Sequence, residues 1–287
     1  MDKLIFDQEY PFASNFLKIG NHNLHYIDVG EAQHTIVMVH GNPTWSFYYR
    51  NLIKKLSKNY RVIAIDHLGC GLSDKPQDYD YCLENHIANL NILLRFLDIT
   101  NYDLIVHDWG GAIGLGNAVI NNMPPEKLIL LNTAAFTSDY IPKRINLLKL
   151  PIIGPFMVKA CNLFCLPATF MTTVRPLPKK VKKGYLHPYQ NIRNRVAINA
   201  FVQDIPMSSK HRTYSLLKKI EDGLKKINGP KMILWGGKDF CFNDYFFTRW
   251  DEIYPDAQKV YFKDAGHYVL EDKNEECSQH ILEFVNQ

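Results

Sequence analysis

The residue best placed to do chemistry is Asp108, which follows the apolar run 104–106 and His107 and precedes Trp109 and the glycines at 110–111. This is the layout of a nucleophile elbow, a sharp strand-to-helix turn that lifts one side chain above a sheet. A carboxylate is already ionised at neutral pH, whereas a hydroxyl must lose a proton as it attacks. The pattern therefore predicts attack on alkyl halides, epoxides or strained lactones rather than ordinary ester hydrolysis.

A second motif could stabilise the negative charge that such a reaction develops. His-Gly-Asn-Pro at 40–43 follows the apolar run 36–39. In a fold with a nucleophile elbow, the loop at this point supplies one backbone N–H to the developing charge, and the residue after the nucleophile supplies another. Those donors would come from Asn42 and Trp109.

The chain also holds an acid and a histidine in the order that a triad needs. Asp239 follows the apolar run 231–236, and His267 follows the run 259–263. A carboxylate bonded to an imidazole holds its tautomer and stabilises its cation. The order Asp108, Asp239, His267 therefore predicts a nucleophile–acid–histidine triad.

Each of these residues also has an ordinary structural interpretation. Asp108 and Asp239 could each cap a helix, and His267 is one of eleven histidines in the chain. Their joint order at the ends of strands favours the triad. His40 and His107 are expected to pack or to shape turns rather than to act as bases.

The elements that would position these residues alternate along the chain. Nearly continuous apolar runs indicate strands buried on both faces, as in a parallel sheet, and the stretches between them have helical spacing. The predicted strands are 24–29, 36–40, 62–66, 104–108, 127–132, 231–236 and 259–263, and the predicted helices include 45–57, 83–97, 112–122 and 274–285. This predicts an α/β protein with a mostly parallel central sheet and helices on both faces. The elbow and the order of the triad residues further indicate an α/β-hydrolase fold.

The alternation stops between about residues 137 and 213, a stretch that holds eight of the fifteen prolines. It predicts an inserted, mainly helical lid at 138–213 on a core formed by 1–137 and 214–287. The apolar part of the lid, 147–171, is interrupted by lysines, prolines and a glycine, whereas a membrane span needs about 20 apolar residues. We expect short helices that line an apolar pocket.

Lid aromatic residues are the candidate pocket lining, namely Phe156, Phe164, Tyr185 and Phe201. The alternative for the apolar stretch is contact with a lipid surface. A basic run lies beside it, formed by Lys179, Lys180, Lys182 and Lys183. This run is either a solvated face or a contact with anionic lipid.

Composition narrows the function further. The 287 residues are 46% hydrophobic and 22% charged, an ordinary globular balance, and the net charge of +4 gives no argument for nucleic acid. The first seven residues lack the apolar core of a signal peptide, and the six cysteines form neither a CxxC pair nor a metal motif with histidine. We expect a cytoplasmic protein with reduced thiols and with no metal or other cofactor.

The chain resembles the haloalkane dehalogenase branch of the α/β-hydrolases through His-Gly-Asn-Pro-Thr at 40–44 and His-Asp-Trp-Gly-Gly at 107–111. The resemblance implies that Asp108 attacks carbon, that His267 activates water and that Asp239 supports His267. Some members carry the supporting acid after the strand that here is 127–132, where this chain has Asn132. The resemblance also implies that side-chain N–H groups of Asn42 and Trp109 bind a departing halide.

Longer segments are similar to the β-lactone decarboxylases of bacterial long-chain olefin biosynthesis. They are 40–50, 67–76, 237–243 and 265–272 in the core, with 184–189 and 201–206 in the lid. This resemblance implies decarboxylation of a long-chain cis-β-lactone to an alkene, an apolar substrate, and association with other enzymes of the pathway. Which lactone atom Asp108 attacks, and what His267 then does, are left open at this point.

Other functions remain compatible with the motifs. A haloalkane dehalogenase would use the same catalytic residues. An epoxide hydrolase would add lid tyrosines that protonate the epoxide oxygen, for which Tyr185, Tyr189 and Tyr214 are available. An inactive binding module of the same fold would be expected to lack one member of the triad. The sequence makes no prediction about the oligomeric state.

Overall fold

A computed structural model describes residues 8–287 of the chain. The N-terminal residues 1–7, on which the expected absence of a signal peptide depends, lie outside the described residues. Within the described range no helix is both long and apolar enough to cross a membrane.

One eight-stranded sheet forms the centre of the protein. Its strands are β1 (Asn15–Ile19), β2 (His22–Val29), β3 (Thr35–Val39), β4 (Arg61–Ile65), β5 (Tyr102–Asp108), β6 (Leu128–Thr133), β7 (Lys231–Gly236) and β8 (Gln258–Phe262). They lie in the order β1-β2-β4-β3-β5-β6-β7-β8. The first two pairings, β1 with β2 and β2 with β4, are antiparallel, and all the others are parallel. The carboxyl ends of six parallel strands therefore meet at one edge of the sheet.

The central strands are apolar because helices cover both faces of the sheet. Every residue of β3, β5 and β6 is buried. Alternate residues of β3 point to opposite sides, so that Val37 packs in one hydrophobic cluster and Met38 in the other. The core helices are α1 (Arg50–Leu56), α2 (Leu83–Phe96), α3 (Trp109–Ile120), α9 (Tyr214–Gly223), α10 (Asp244–Ile253), α11 (Val269–Asp272) and α12 (Asn274–Val285).

The predicted α/β-hydrolase architecture is confirmed. Each of the seven predicted strands is present within two residues of its expected bounds, and α12 has its predicted bounds. The structure adds β1, which the sequence analysis missed. This edge strand has one buried residue among its five, so it lacks the continuous apolar run that identifies the others.

The segment 138–213 forms five α-helices and no strand. They are α4 (Lys143–Leu148), α5 (Ile153–Lys159), α6 (Cys165–Met171), α7 (Lys179–Leu186) and α8 (Val196–Asp204). Polar contacts at the end of α8 connect this segment internally and to the core. Lys149 donates to the carbonyls of Val202 and Gln203 at 2.9 and 2.8 Å, and the Asp204 carboxylate accepts from the backbone N–H of Leu83 at 2.8 Å. The carboxylate thereby pairs an N–H at the start of α2 that has no partner within the helix.

Candidate active site

Asp108 occupies a strained turn between β5 and α3. Its φ is 53°, a left-handed conformation that a non-glycine residue adopts rarely and that occurs preferentially at functional sites. The turn needs glycine nearby, since a Cβ at Gly110 would lie 2.0 Å from the carbonyl oxygen of Val39. The Thr133 hydroxyl donates to the backbone carbonyl of Asp108 at 2.5 Å. These contacts hold the Asp108 carboxylate at the carboxyl edge of the sheet, as a nucleophile elbow requires.

The structure brings Asp108, Asp239 and His267 together. His267 Nδ1 lies 2.7 Å from Asp239 Oδ2, and His267 Nε2 lies 3.6 Å from Asp108 Oδ2. Each of the three residues is at least nine-tenths buried. The imidazole therefore has a carboxylate on each ring nitrogen, one fully enclosed and one beside a cavity.

Asp239 is held by groups from two strand ends. The Asn132 side chain donates to Asp239 Oδ2 at 3.0 Å, and the backbone N–H of Cys241 donates to Asp239 Oδ1 at 2.6 Å. Asn132 is itself anchored to β7, because its carbonyl accepts from the N–H of Gly236 at 2.8 Å. Asn132, at the end of β6, thus orients an acid that follows the neighbouring strand β7.

The charge on His267 depends on opposing effects. Burial lowers the pKa of the imidazole, but the carboxylates of Asp239 and Asp108 outweigh it and raise the pKa to about 10. His267 is therefore a cation at neutral pH.

The two neighbouring histidines have structural contacts. His107 Nε2 lies 3.0 Å from the carbonyl of His267, and its ring stacks on Tyr48 with centroids 4.3 Å apart. His40 Nδ1 bonds to the carbonyl of Gly41 at 2.7 Å. Burial lowers the pKa of both imidazoles, so each is neutral and serves packing and loop geometry.

The N–H groups that were expected to donate hydrogen bonds to an anion are not all free to do so. The backbone N–H of Asn42 donates to Asp108 Oδ1 at 2.6 Å, so it positions the Asp108 carboxylate. The side-chain amide of Asn42 donates to the carbonyl of Ile198 at 3.2 Å, which uses one of its two N–H groups. The indole N–H of Trp109 has no hydrogen-bond partner among residues 8–287. Trp109 and the second amide N–H of Asn42 are therefore the side-chain donors open to a ligand.

A cavity of about 350 Å³ lies between the carboxyl edge of the sheet and the segment 138–213. Asp108, His267, Asn42 and Trp109 form its polar end. The rest of the wall is mostly apolar and includes Phe136, Ile141, Ile145, Leu148, Met157, Leu163, Phe164, Val202, Leu217 and Phe246. Such a site suits an apolar molecule whose reactive group meets the few polar side chains.

Of the four aromatic residues predicted to line the pocket, Phe164 lies on the cavity wall. The prediction was wrong for Phe156, Tyr185 and Phe201, which do not line the cavity. Phe156 is 62% exposed on the outer side of α5, and Phe201 is buried behind Trp109, with ring centroids 5.4 Å apart. The Tyr185 hydroxyl donates to Glu271 at 2.5 Å within the core. Which way a lid aromatic points depends on how its helix packs, and composition does not reveal that.

Two aromatic residues that follow Asp239 line the cavity but were not predicted from the sequence. Phe240 and Phe242 line the cavity, and the Phe242 ring stacks on His267 with centroids 5.6 Å apart. Both fall in the segment 237–243 that carries the family resemblance. Their position directly after Asp239, the predicted triad acid, was the signal that they lie beside the site.

A separate group of polar side chains lies at the opposite, amino edge of the sheet. His34, Asp103 and Glu126 place potential metal-ligand atoms within 4.8 Å of one another. His34 Nε2 already bonds to Asp103 Oδ2 at 2.9 Å. This hydrogen bond already joins two of the three residues, and none of the three lines the cavity.

Comparisons with known proteins show what the chain as a whole is similar to. A family model described as the alpha/beta hydrolase fold matches residues 34–143. A cis-3-alkyl-4-alkyloxetan-2-one decarboxylase from Shewanella oneidensis is 40% identical over 98% of this chain and 91% of that protein. A second protein of that name, from Xanthomonas campestris, is 37% identical over 91% of each chain.

Haloalkane dehalogenases are more distant. Haloalkane dehalogenase 2 from Mycobacterium tuberculosis is 27% identical over 96% of each chain. The structure of a haloalkane dehalogenase from Bradyrhizobium elkani superposes with a TM-score of 0.87 over 96% of this chain and 98% of that chain, at 20% identity. At that identity the superposition shows the shared fold.

Proposed function

Because the chain belongs to the cis-3-alkyl-4-alkyloxetan-2-one decarboxylase family of α/β-hydrolase-fold enzymes, we propose that it decarboxylates long-chain cis-β-lactones to alkenes. The observation that carries the proposal is the placement of an Asp nucleophile at the polar end of an apolar cavity. The apolar wall suits alkyl chains, since burial of each methylene contributes about 0.8 kcal/mol. We assign Asp108 as nucleophile, His267 as the histidine of the triad and Asp239 as its supporting acid.

The reaction balances with a carboxylate nucleophile alone. Attack by an Asp108 oxygen on the alkyl-bearing carbon next to the ring oxygen forms an ester and breaks that carbon–oxygen bond. The electron pair of the broken bond stays on the substrate carboxylate that is set free. When this carboxylate leaves as carbon dioxide, the electron pair of its carbon–carbon bond forms the alkene, and the ester bond breaks to restore the Asp108 carboxylate. No net proton is gained or lost.

His267 then acts chiefly through its charge. As a cation beside Asp108 it stabilises the negative charge that passes from the nucleophile to the freed substrate carboxylate. The indole N–H of Trp109 is a neutral, fixed donor for the same charge. Conversion of Asp108 to an ester removes one of the two carboxylate charges that raise the pKa of His267, so the pKa of His267 falls at that stage.

A paired assay tests the function. Purified protein is given a cis-β-lactone with long alkyl arms and, separately, a panel of haloalkanes, and products are measured by gas chromatography and by halide release. We expect alkene from the lactone and little halide. Rapid halide release with an unchanged lactone would overturn the proposal and identify a dehalogenase.

Haloalkane dehalogenation is the second candidate, because Trp109 offers a free N–H beside Asp108 and the dehalogenase relatives cover the whole fold. In that reaction water must hydrolyse an alkyl ester on Asp108, with neutral His267 as the base. A His267→Gln variant should then accumulate the ester with a haloalkane, which intact-mass spectrometry detects. Absence of an adduct in this variant would exclude the two-step hydrolysis.

The tyrosines that the sequence offered to an epoxide hydrolase lie away from the cavity, and the tyrosine on the cavity wall is Tyr140 instead. The three tyrosines that could protonate an epoxide, Tyr185, Tyr189 and Tyr214, do not line the cavity. Tyr189 is buried, and its hydroxyl lies 3.3 Å from the carbonyl of Thr44. None of these three tyrosines is therefore placed to donate the proton that epoxide opening needs.

We further propose a cytoplasmic location. All six cysteines are free, and four of them are buried. Burial raises the pKa of the thiols of Cys70 and Cys277 to about 12, which keeps them protonated and unreactive. Free buried thiols are typical of proteins that fold in a reducing compartment.

A further inference from the structure

Charge is divided very unevenly between the lid segment and the rest of the chain. Residues 138–213 hold thirteen lysines and arginines and only two acidic residues, out of 33 and 29 in the whole chain. The remaining residues therefore hold 20 basic and 27 acidic side chains. The modest overall charge of +4 conceals a strongly positive lid on a negative core.

The same segment carries a cluster of exposed apolar side chains, which we call the apolar ridge. Its members all belong to the stretch 147–156, where α4 ends and α5 begins. They are Leu147, Leu150, Ile152, Ile153 and Phe156. Each is more than two-fifths exposed, and Ile152 is 85% exposed. Single exposed apolar residues are normal on soluble proteins, whereas a cluster marks contact with another apolar surface.

The tip of the ridge is also strained. Ile152 has a φ of 66°, and a β-branched residue in this left-handed conformation is a clear outlier. Burial does not compensate this strain, because Ile152 is the most exposed of the large hydrophobic side chains among residues 8–287. A strained backbone that presents an apolar side chain to solvent points to a binding role.

The cavity reaches the surface beside the ridge. Leu147 lines the cavity and is 48% exposed, and Leu163 lines it and is 42% exposed. An apolar molecule bound by the ridge surface therefore has a short apolar path to Asp108.

We propose that the apolar ridge docks the lid on an anionic lipid bilayer. Lys143 lies one turn from Leu147 on α4, and Lys159 lies three residues after Phe156 on α5, so basic groups flank the ridge on both helices. Short amphipathic helices bind bilayers by burying apolar side chains at the interface while basic residues meet anionic headgroups. A bilayer satisfies both features of the lid at once, the exposed apolar cluster and the excess of positive charge. Delivery of a long-chain substrate by this route rests on the proposed function, but the docking itself does not.

Co-sedimentation with lipid vesicles tests the docking. One set of vesicles contains equal parts of phosphatidylglycerol and phosphatidylcholine, and the other contains phosphatidylcholine alone. The wild-type protein should bind the anionic vesicles at least about tenfold more tightly at low salt, and salt should weaken the binding. Ile152→Asp with Phe156→Asp should reduce binding by more than about tenfold, because two large side chains no longer enter the bilayer.

The chain offers a matched control on the core. Ile92 and Phe96 are 43% and 57% exposed and four residues apart on α2, the same spacing as Ile152 and Phe156. Ile92→Asp with Phe96→Asp should leave vesicle binding unchanged. For charge, Lys143→Glu should weaken binding about fivefold or more, whereas Lys225→Glu on the core should not.

Three results would overturn the docking proposal. The first is equal binding to both kinds of vesicle, and the second is an equal loss of vesicle binding in the Ile92→Asp, Phe96→Asp control. The third is a protein dimer in solution that the ridge substitutions dissociate, which would make the ridge a protein interface. Vesicle binding requires no turnover. A failure here is therefore distinguishable from a failure of the decarboxylase assay.

Discussion

Two hydrogen-bonded, buried Asp–His pairs within residues 8–287 have nearly the same geometry. Asp239 Oδ2 lies 2.7 Å from His267 Nδ1, and Asp66 Oδ2 lies 2.8 Å from His25 Nδ1. Each aspartate follows a strand, β7 or β4, and each lies at the carboxyl edge of the sheet. Neither aspartate side chain has any exposed surface. Distance and burial alone do not distinguish the two pairs.

The surroundings of the two pairs differ. Asp66 also accepts from the backbone N–H groups of Ser46 and Leu72, at 2.7 and 2.9 Å, and so closes the loop that follows β4. The second nitrogen of His25 meets the Ser14 hydroxyl at 3.1 Å. Every polar atom of this pair thus has a structural partner.

At the Asp239–His267 pair one nitrogen remains directed at a reactive group. His267 Nε2 faces Asp108, which lies on the wall of the cavity. We therefore propose that the Asp239–His267 pair is catalytic, because its outer ring nitrogen faces Asp108 whereas that of His25 meets a serine hydroxyl. The Asp66–His25 pair is therefore an internal control for the Asp239–His267 pair.

The largest expected effect is that of Asp108→Asn. The amide cannot attack carbon, so turnover of the lactone should fall by more than about a hundredfold while the free energy of unfolding changes little. Asp66→Asn should do the reverse, with a loss of about 2 kcal/mol in the free energy of unfolding and turnover per folded molecule close to wild type. Urea unfolding and steady-state alkene formation measure the two quantities, and near wild-type turnover in Asp108→Asn would refute the nucleophile.

Asp239→Asn should have the next largest effect. It removes a charge that raises the pKa of His267, so the pKa should fall toward the ordinary imidazole range and the cation should be lost near neutral pH. Turnover should fall at least about tenfold, with a shift of the alkaline limb of the pH–rate profile to lower pH. Asp66→Asn provides the comparison, and an equal shift in both variants would contradict the assignment.

The two pairs should lose stabilisation at opposite ends of the pH range. The folded pKa of His267, about 10, is above the unfolded value of about 6.5, so its contribution is complete below about pH 6.5 and is lost as the pH rises to about 10. For Asp66, burial raises the pKa, but His25 and the N–H donors outweigh it and lower the pKa below its usual value. The contribution of Asp66 is complete above that usual value and is lost as the pH falls through the lowered pKa.

Urea unfolding between acid and alkaline pH measures this difference. His267→Gln should flatten the alkaline limb of the stability profile, and Asp66→Asn should flatten the acid limb. A change of the same limb in both variants would show that the pairs are not electrostatically distinct.

The smallest expected effect is that of Asn132→Ala. The variant removes one donor to Asp239 and leaves the N–H of Cys241 in place, so turnover should fall about threefold to tenfold without loss of the fold. Asn132→Asp places a second carboxylate beside Asp239 and should reduce turnover further through repulsion. Steady-state kinetics compare the two variants, and wild-type turnover in both would show that Asn132 does not position the acid.

The predicted strands were accurate where both faces are buried. The runs that became β3, β5 and β6 are continuous in apolar residues because helices cover them on each side. Strand β1 lies at the sheet edge with Phe16 47% exposed, so its sequence lacks that signal. The elbow at Asp108 was also predictable, since the polar pair and glycines that such a turn requires are adjacent in the chain.

The amino-acid sequence by itself determined the fold, the order of Asp108, Asp239 and His267, and the excess of positive charge in the lid, because these depend on residue type and local spacing. Only the tertiary structure revealed that His25 and Asp66 form a second buried pair, in which every polar atom has a structural partner. It also decided that Phe164 lines the cavity while Phe156 points to solvent. The physical reason is that the direction of a side chain depends on how elements distant in sequence pack together, and that packing is not contained in any local pattern.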